Sequence, residues 1–231
     1  MKMLSMLLAR GAVRRRGPVL LAVLWLTLAV ATAVVRRGSG ADAVVIHTLG
    51  AFVVPLASFA ITGAVLGGGS LADAVSWLVR FGAARRSASL APFVTCGAAA
   101  ATLMAAVALA VVFVARPPGA PLGDGPTTAW VAALGAAAYV SLFLAGASFG
   151  RRGGGRLVVL VVDALVGQST GIAGAFTVRA NLRNLLGGTS PLSLSQRTSS
   201  VLLIALVLAG VVIASLRLRP TLARAQSTRF H

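Results

Sequence analysis

LADAVSWLVRFGAARRSASLAP, residues 71–92, is the longest amphipathic stretch in a chain otherwise made of apolar runs joined by short linkers. At helical period, Leu71, Ala74, Val75, Leu78 and Phe81 share one stripe, while Asp73, Ser76, Arg80 and Ala84 fall elsewhere. This is the pattern of a helix lying on a membrane face. Arg80, Arg85 and Arg86 make its far end basic just before Pro92 restarts an apolar run. The segment is therefore read as a cytoplasmic boundary element between two spans. Trp77, Leu78, Arg80, Phe81, Arg85 and Arg86 are the residues a partner would grip.

The composition excludes an ordinary soluble domain: 58% of residues are hydrophobic and 11% charged, and the mean hydropathy is +0.93. The apolar runs approach the roughly 20 residues that carry a helix across a hydrocarbon core, and they lack the alternation of barrel strands. The fold class is an all-α integral membrane protein. A net charge of +17 would point to nucleic acid in a soluble protein. Here the basic residues sit in linkers and tails that flank apolar runs, so no nucleic-acid partner is expected and membrane lipids are. Cys96, the single cysteine, cannot form an intrachain disulfide.

Taken outward from 71–90, the chain reads as one transmembrane domain over 1–231 with six spans, at about 18–35, 44–66, 92–115, 128–149, 157–176 and 199–216. The first could instead be a signal peptide, because Ala29-Val30-Ala31 and Ala31-Thr32-Ala33 resemble small-residue cleavage sites. Its apolar run is longer than a usual signal core, which favours an uncleaved anchor. Gly67-Gly68-Gly69-Ser70, RPPGAPLGDGP at 116–126 and GRRGGGR at 150–156 are breaks. Between spans 5 and 6, residues 177–198 are too polar to cross and too apolar around Leu182, Leu185 and Leu186 for a plain loop. A pair of short interfacial or re-entrant helices broken at Gly187-Gly188 fits, with Asn181, Arg183 and Asn184 as its polar residues. The N-terminal segment, 71–90, 150–156 and the tail carry most of the 21 basic residues, leaving Arg36, Arg37, Arg116, Arg179, Arg183 and Arg197 for the other side. The positive-inside rule then puts both termini in the cytoplasm of a multi-pass protein of the cell (inner) membrane.

Candidate chemistry is sparse. Residues 146–150 and 167–171 match G-x-S-x-G, yet both lie in or beside apolar helices, whereas a nucleophile elbow needs a strand-to-helix turn. An intramembrane serine protease resembling the rhomboids would keep its histidine base in the last span. This chain has His47, in span 2, and His231, at its end, so Ser148 lacks a base there. His47 has no partner spacing for a metal, and no Walker A motif is possible with Lys2 as the only lysine. No cofactor, metal or catalytic residue is expected. Asp163 and Gln168 are the intramembrane polar residues of span 5. Asp163, the acid within a span, is either a proton-coupling group or a structural one paired with an arginine such as Arg152 or Arg156. Without a second titratable partner, the structural role is favoured.

This layout resembles the permease subunit of ABC-2-type ABC transporters. The likeness rests on WLVRFGAARR at 77–86 leading through Ala91-Pro92 into span 3, and on NLRNLLGG at 181–188 followed by Ser190-Pro191-Leu192. Family members usually carry acids in the stretch leading into span 3, where this chain has Asp73. The resemblance implies six spans, a cytoplasmic ATPase-contact segment, short broken outer helices, and a homo- or heterodimer of permeases with two separate ABC ATPase chains. It also implies export of a lipid, polysaccharide, drug or peptide, with ATP hydrolysis on the partner. The competing reading from the residues alone is a non-transporting membrane scaffold or assembly factor.

Overall fold

The computed structural model describes residues 17–35, 41–115, 123–150 and 152–227. The basic N-terminal segment, Arg36 and Arg37, most of the 116–126 loop and the end of the tail lie outside the described residues. The described residues form helices and turns, with no strand among them. Helix α1 (Gly17–Val35) is followed by α2 (Ala41–Val45), which runs directly through a π-helical stretch (Ile46–Val53) into α3 (Val54–Leu66). Then come α4 (Leu71–Arg80), α5 (Arg85–Ala115), α6 (Gly125–Ala147), α7 (Gly155–Val166), α8 (Ile172–Ala175) and α9 (Val178–Leu185). A 3-10 turn (Pro191–Ser193) precedes α10 (Gln196–Ser227).

Among the described residues, 4 helical stretches are long and apolar enough to cross a membrane: Ala43–Arg80, Arg85–Ala115, Gly125–Ala147 and Gln196–Leu218. The first is interrupted by the turn at Gly67 to Ser70, where Gly67 takes a left-handed φ of 63° that ends α3. The π-helix has a local cause. Pro55 has no N–H, and in α geometry its ring would meet the carbonyl of Ala51. The wider turn, in which Val54 N–H reaches Leu49 O, lets the helix pass the proline.

Two elements depart from the sequence expectation. The segment 71–90 is not one helix: α4 ends at Arg80, Gly82 turns with φ 88°, and Arg85 and Arg86 begin α5. Pro92 therefore lies inside α5 rather than at its start. The apolar run over 157–176 is likewise not a single helix. Helix α7 has 12 residues, about 18 Å at the usual rise, against a hydrocarbon core of roughly 30 Å. It ends at Gly167, which lets the chain of Arg179 approach so closely that a Cβ there would lie 2.7 Å from Arg179 Cβ, and the residues that follow are polar.

Helix α6 is the centre of the bundle, touching α3, α5, α7, α9 and α10. Tyr139, Phe143 and Leu144 are fully buried on it, with Phe143 edge-on to Phe59 of α3. Small residues permit these approaches, as they do where helices pack in lipid without a hydrophobic drive between them. A Cβ on Gly210 of α10 would lie 2.8 Å from the Ser141 backbone, and one on Gly146 would lie 2.9 Å from the Arg156 backbone of α7. The Gly146 contact fixes the end of the bundle at which α7 enters. Helix α4 lies at this same end, since the Gly153 turn abuts the backbone of Gly69 and Ser70.

Candidate functional site

The most elaborate polar arrangement is built around Asp163. From the Gly146–Arg156 crossing, Tyr139 on α6 and Asp163 on α7 each lie two turns inward, about 10 Å at ~1.5 Å per residue. There the carboxylate is buried, 5% exposed, and both oxygens are used. Oδ2 accepts from the Tyr139 hydroxyl at 2.6 Å, and the Arg179 guanidinium lies 3.7 Å from the same oxygen. Oδ1 accepts the backbone N–H groups of Val178 at 3.0 Å and Arg179 at 3.2 Å.

Those two amides open helix α9. A helix start leaves its first N–H groups without intrahelical partners, and inside an apolar bundle no water is at hand to take them. Here Asp163 takes two, and Thr177 Oγ1 accepts a third from Ala180 at 3.3 Å. A negative charge at a helix N-terminus is also favoured by the aligned peptide dipoles. Asp163 is thus an N-terminal cap supplied by another helix.

From that depth α9 runs back along α6 toward its Gly125 end. A Cβ on Gly135 would meet Leu182 Cδ1 at 2.8 Å, so α9 seats a leucine where α6 has no side chain. Leu186 reaches the π-helix, 3.3 Å from where Gly50 would carry a Cβ. Asn181 donates to Ala175 O and Thr177 O, closing the turn before α9. Asn184 donates to Leu194 O at 3.0 Å and Ser199 Oγ at 2.8 Å, tying its far end to α10. Arg183 Nε reaches Thr189 O and closes the Gly187-Gly188 turn. The short helix is therefore pinned at both ends by buried side chains.

The ion-pair partner of Asp163 is Arg179, not Arg152 or Arg156 as the sequence suggested. The reason is the short α7: the chain turns back at Gly167 and returns Arg179 to the level of Asp163. Arg152 is exposed, and Arg156 turns to Phe59 of α3. Gln168 is exposed in the break after α7 rather than inside a span. Sequence reasoning missed Tyr139, although the chain's one tyrosine in the middle of an apolar run was a visible signal. Ser148 donates to Ala145 O of its own helix, and the Ser169 hydroxyl accepts from Gly171 N.

The second arrangement is helix α4. Ser70 and Asp73 cap it reciprocally: Ser70 Oγ accepts from Asp73 N–H at 3.2 Å, and Asp73 Oδ2 accepts from Ser70 N–H at 3.0 Å. Leu71, Val75, Leu78 and Val79 are buried against the bundle. Trp77 and Phe81 are exposed, at 47% and 73%, with ring centroids 4.8 Å apart. Leu78 therefore belongs to the chain's own core. Phe81 leaves the predicted stripe because the helix has already ended. Arg80, next to Phe81 in the chain, and Arg86 are exposed, and Arg85 is half-buried at the start of α5. Comparison with family models, curated proteins and solved structures finds no match.

Proposed function

We propose that the chain is the permease subunit of an ATP-driven exporter of the ABC-2 type. It would have six passes, both termini in the cytoplasm of the cell membrane, and work in a permease dimer with two separate ATPase chains. Its cargo would be a lipid, polysaccharide, drug or peptide. The observation that carries this reading is α4. An element that receives force from a soluble partner must be rigid, rooted in the bundle and still present a graspable face. Helix α4 is capped at its start, sinks Leu71, Val75 and Leu78 into the core, and exposes the Trp77–Phe81 pair next to the exposed Arg80. Exposed aromatics beside arginine are the residue types that dominate protein interfaces. The short α9 supports the reading as the counterpart of the short outer helices such a permease carries between spans 5 and 6.

The test is Trp77→Ala with Phe81→Ala in the full chain, expressed in its native host and assayed for an associated ABC ATPase chain. Insertion and thermal unfolding should be unchanged, while co-purification of the ATPase and nucleotide-stimulated transport are lost. Wild-type stoichiometry of the ATPase in the double mutant would overturn the coupling role and leave the scaffold reading. Reporter fusions after Arg86, Arg156 and Arg219 should read cytoplasmic, and those within 117–126 and 187–192 external. A cytoplasmic signal at 117–126 would break the six-pass topology.

A further inference from the structure

At the end of the bundle that carries α4, two guanidinium groups lie over aromatic rings with no acceptor among the described residues. Arg156, in the first turn of α7, lies over the Phe59 ring of α3, with Cζ 5.5 Å from the centroid. Its Nη1 is 3.5 Å from where a Cβ would stand on Gly63, so the missing side chain makes room for the guanidinium. That nitrogen is buried and without a hydrogen-bond partner among the described residues. Arg217, near the end of the apolar part of α10, lies 4.2 Å over the Phe149 ring. Phe149 in turn lies against Gly155, the residue before Arg156, since a Cβ on Gly155 would be 3.1 Å from Phe149 Cβ. The carboxylate of α4, Asp73, is engaged by Ser70, and that of α7, Asp163, by Tyr139 and Arg179.

Arginine binds phosphate through a planar fork of donors, and it does so best when the fork is already immobilised. Stacking on Phe59 and Phe149 fixes both forks. Their level also fits: Arg156 faces Gly146 near the end of α6, and Arg217 closes the apolar stretch Gln196–Leu218. This is the depth at which lipid phosphates meet a spanning bundle. We propose that Arg156 and Arg217 form a binding site for the phosphate group of an anionic membrane lipid, around the turn that joins α6 to α7. The site does not depend on the permease reading.

The full chain in detergent would be titrated with phosphatidylglycerol, with phosphatidylcholine of the same acyl chains, and with inorganic phosphate, and read by native mass spectrometry and thermal shift. Phosphatidylglycerol should be retained and should stabilise the protein, with phosphatidylcholine doing neither. Arg156→Gln and Arg217→Gln should each weaken retention by about tenfold, as expected for loss of one charge-assisted contact, while Arg86→Gln leaves it unchanged. Should Arg156→Gln fail to fold, Arg156→Lys keeps the charge without the fork and should also lose retention. Stabilisation by millimolar inorganic phosphate equal to that by phosphatidylglycerol supports the site and assigns it to soluble phosphate. Wild-type retention in the Arg156 and Arg217 variants overturns the proposal. So does an equal loss in Arg86→Gln, which would mean diffuse attraction to a basic surface.

Discussion

Helices α4 and α9 are both short and both amphipathic, yet they are held in opposite ways. Helix α4 caps itself: Ser70 and Asp73 satisfy each other's amides within four consecutive residues. Helix α9 cannot. Thr177 covers Ala180, but the amides of Val178 and Arg179 depend on Asp163, 15 and 16 residues earlier and on another helix. A self-capped helix needs only one face against the bundle and can offer the other to a partner. A helix capped by its neighbour has its position set by that neighbour, and it can be seated where no water reaches.

The largest effect should come from removing the remote cap. Asp163→Ala strands two backbone amides, the Tyr139 hydroxyl and the Arg179 guanidinium together, and breaking a buried charge pair costs about 3–5 kcal/mol. Folded yield and the unfolding temperature in detergent should both fall sharply. Asp163→Asn keeps one carbonyl acceptor and should fall less. A melting temperature for Asp163→Ala equal to that of wild type would mean that α9 is not held by this carboxylate. Tyr139→Phe comes next, at about 1–2 kcal/mol for one hydrogen bond to the buried carboxylate within a bundle. Ser70→Ala should cost about 1 kcal/mol, the ordinary loss of an N-cap. Cysteine accessibility at positions 179–184 should not change in that variant. If it does, α4 and α9 are coupled and the contrast between them fails.

The same contrast explains what could be read in advance. The apolar runs that became α5, α6 and α10, and the glycine breaks at 67–69 and 153–155, are local signals, and the sequence carries them directly. So does the amphipathic face of α4, apart from Phe81, which left the stripe when Gly82 ended the helix. The end of α7 was hidden because Ile172, Ala173 and Ala175 resume an apolar run after five more polar residues, giving the average hydropathy of a single span. The partner of Asp163 was hidden because it exists only once the chain has doubled back at Gly167. The π-helix was signalled by Pro55, but a proline alone does not say whether a helix will kink, break or widen. What could not be read are contacts between residues far apart in sequence, and the candidate site at Asp163 consists of such contacts.

The smallest effect is expected at Phe81, and it decides whether the exposed face of α4 is structural. Phe81 is 73% exposed, so little of its ring leaves water or lipid on folding. It follows the last helical residue at φ −83° and ψ 16°, a conformation open to alanine, and its N–H bond to Trp77 O needs no side chain. Its ring pairs in a tilted geometry with Trp77, itself half-exposed. Phe81→Ala should therefore change stability by no more than about 0.5 kcal/mol, the range of an ordinary surface substitution, in chemical unfolding of the purified chain. A loss above about 1.5 kcal/mol, the upper end for a well-formed aromatic pair, would show that the two rings brace α4 against the bundle. The aromatic face would then be part of the anchor rather than free for a partner, and the docking role of α4 would lose its physical basis.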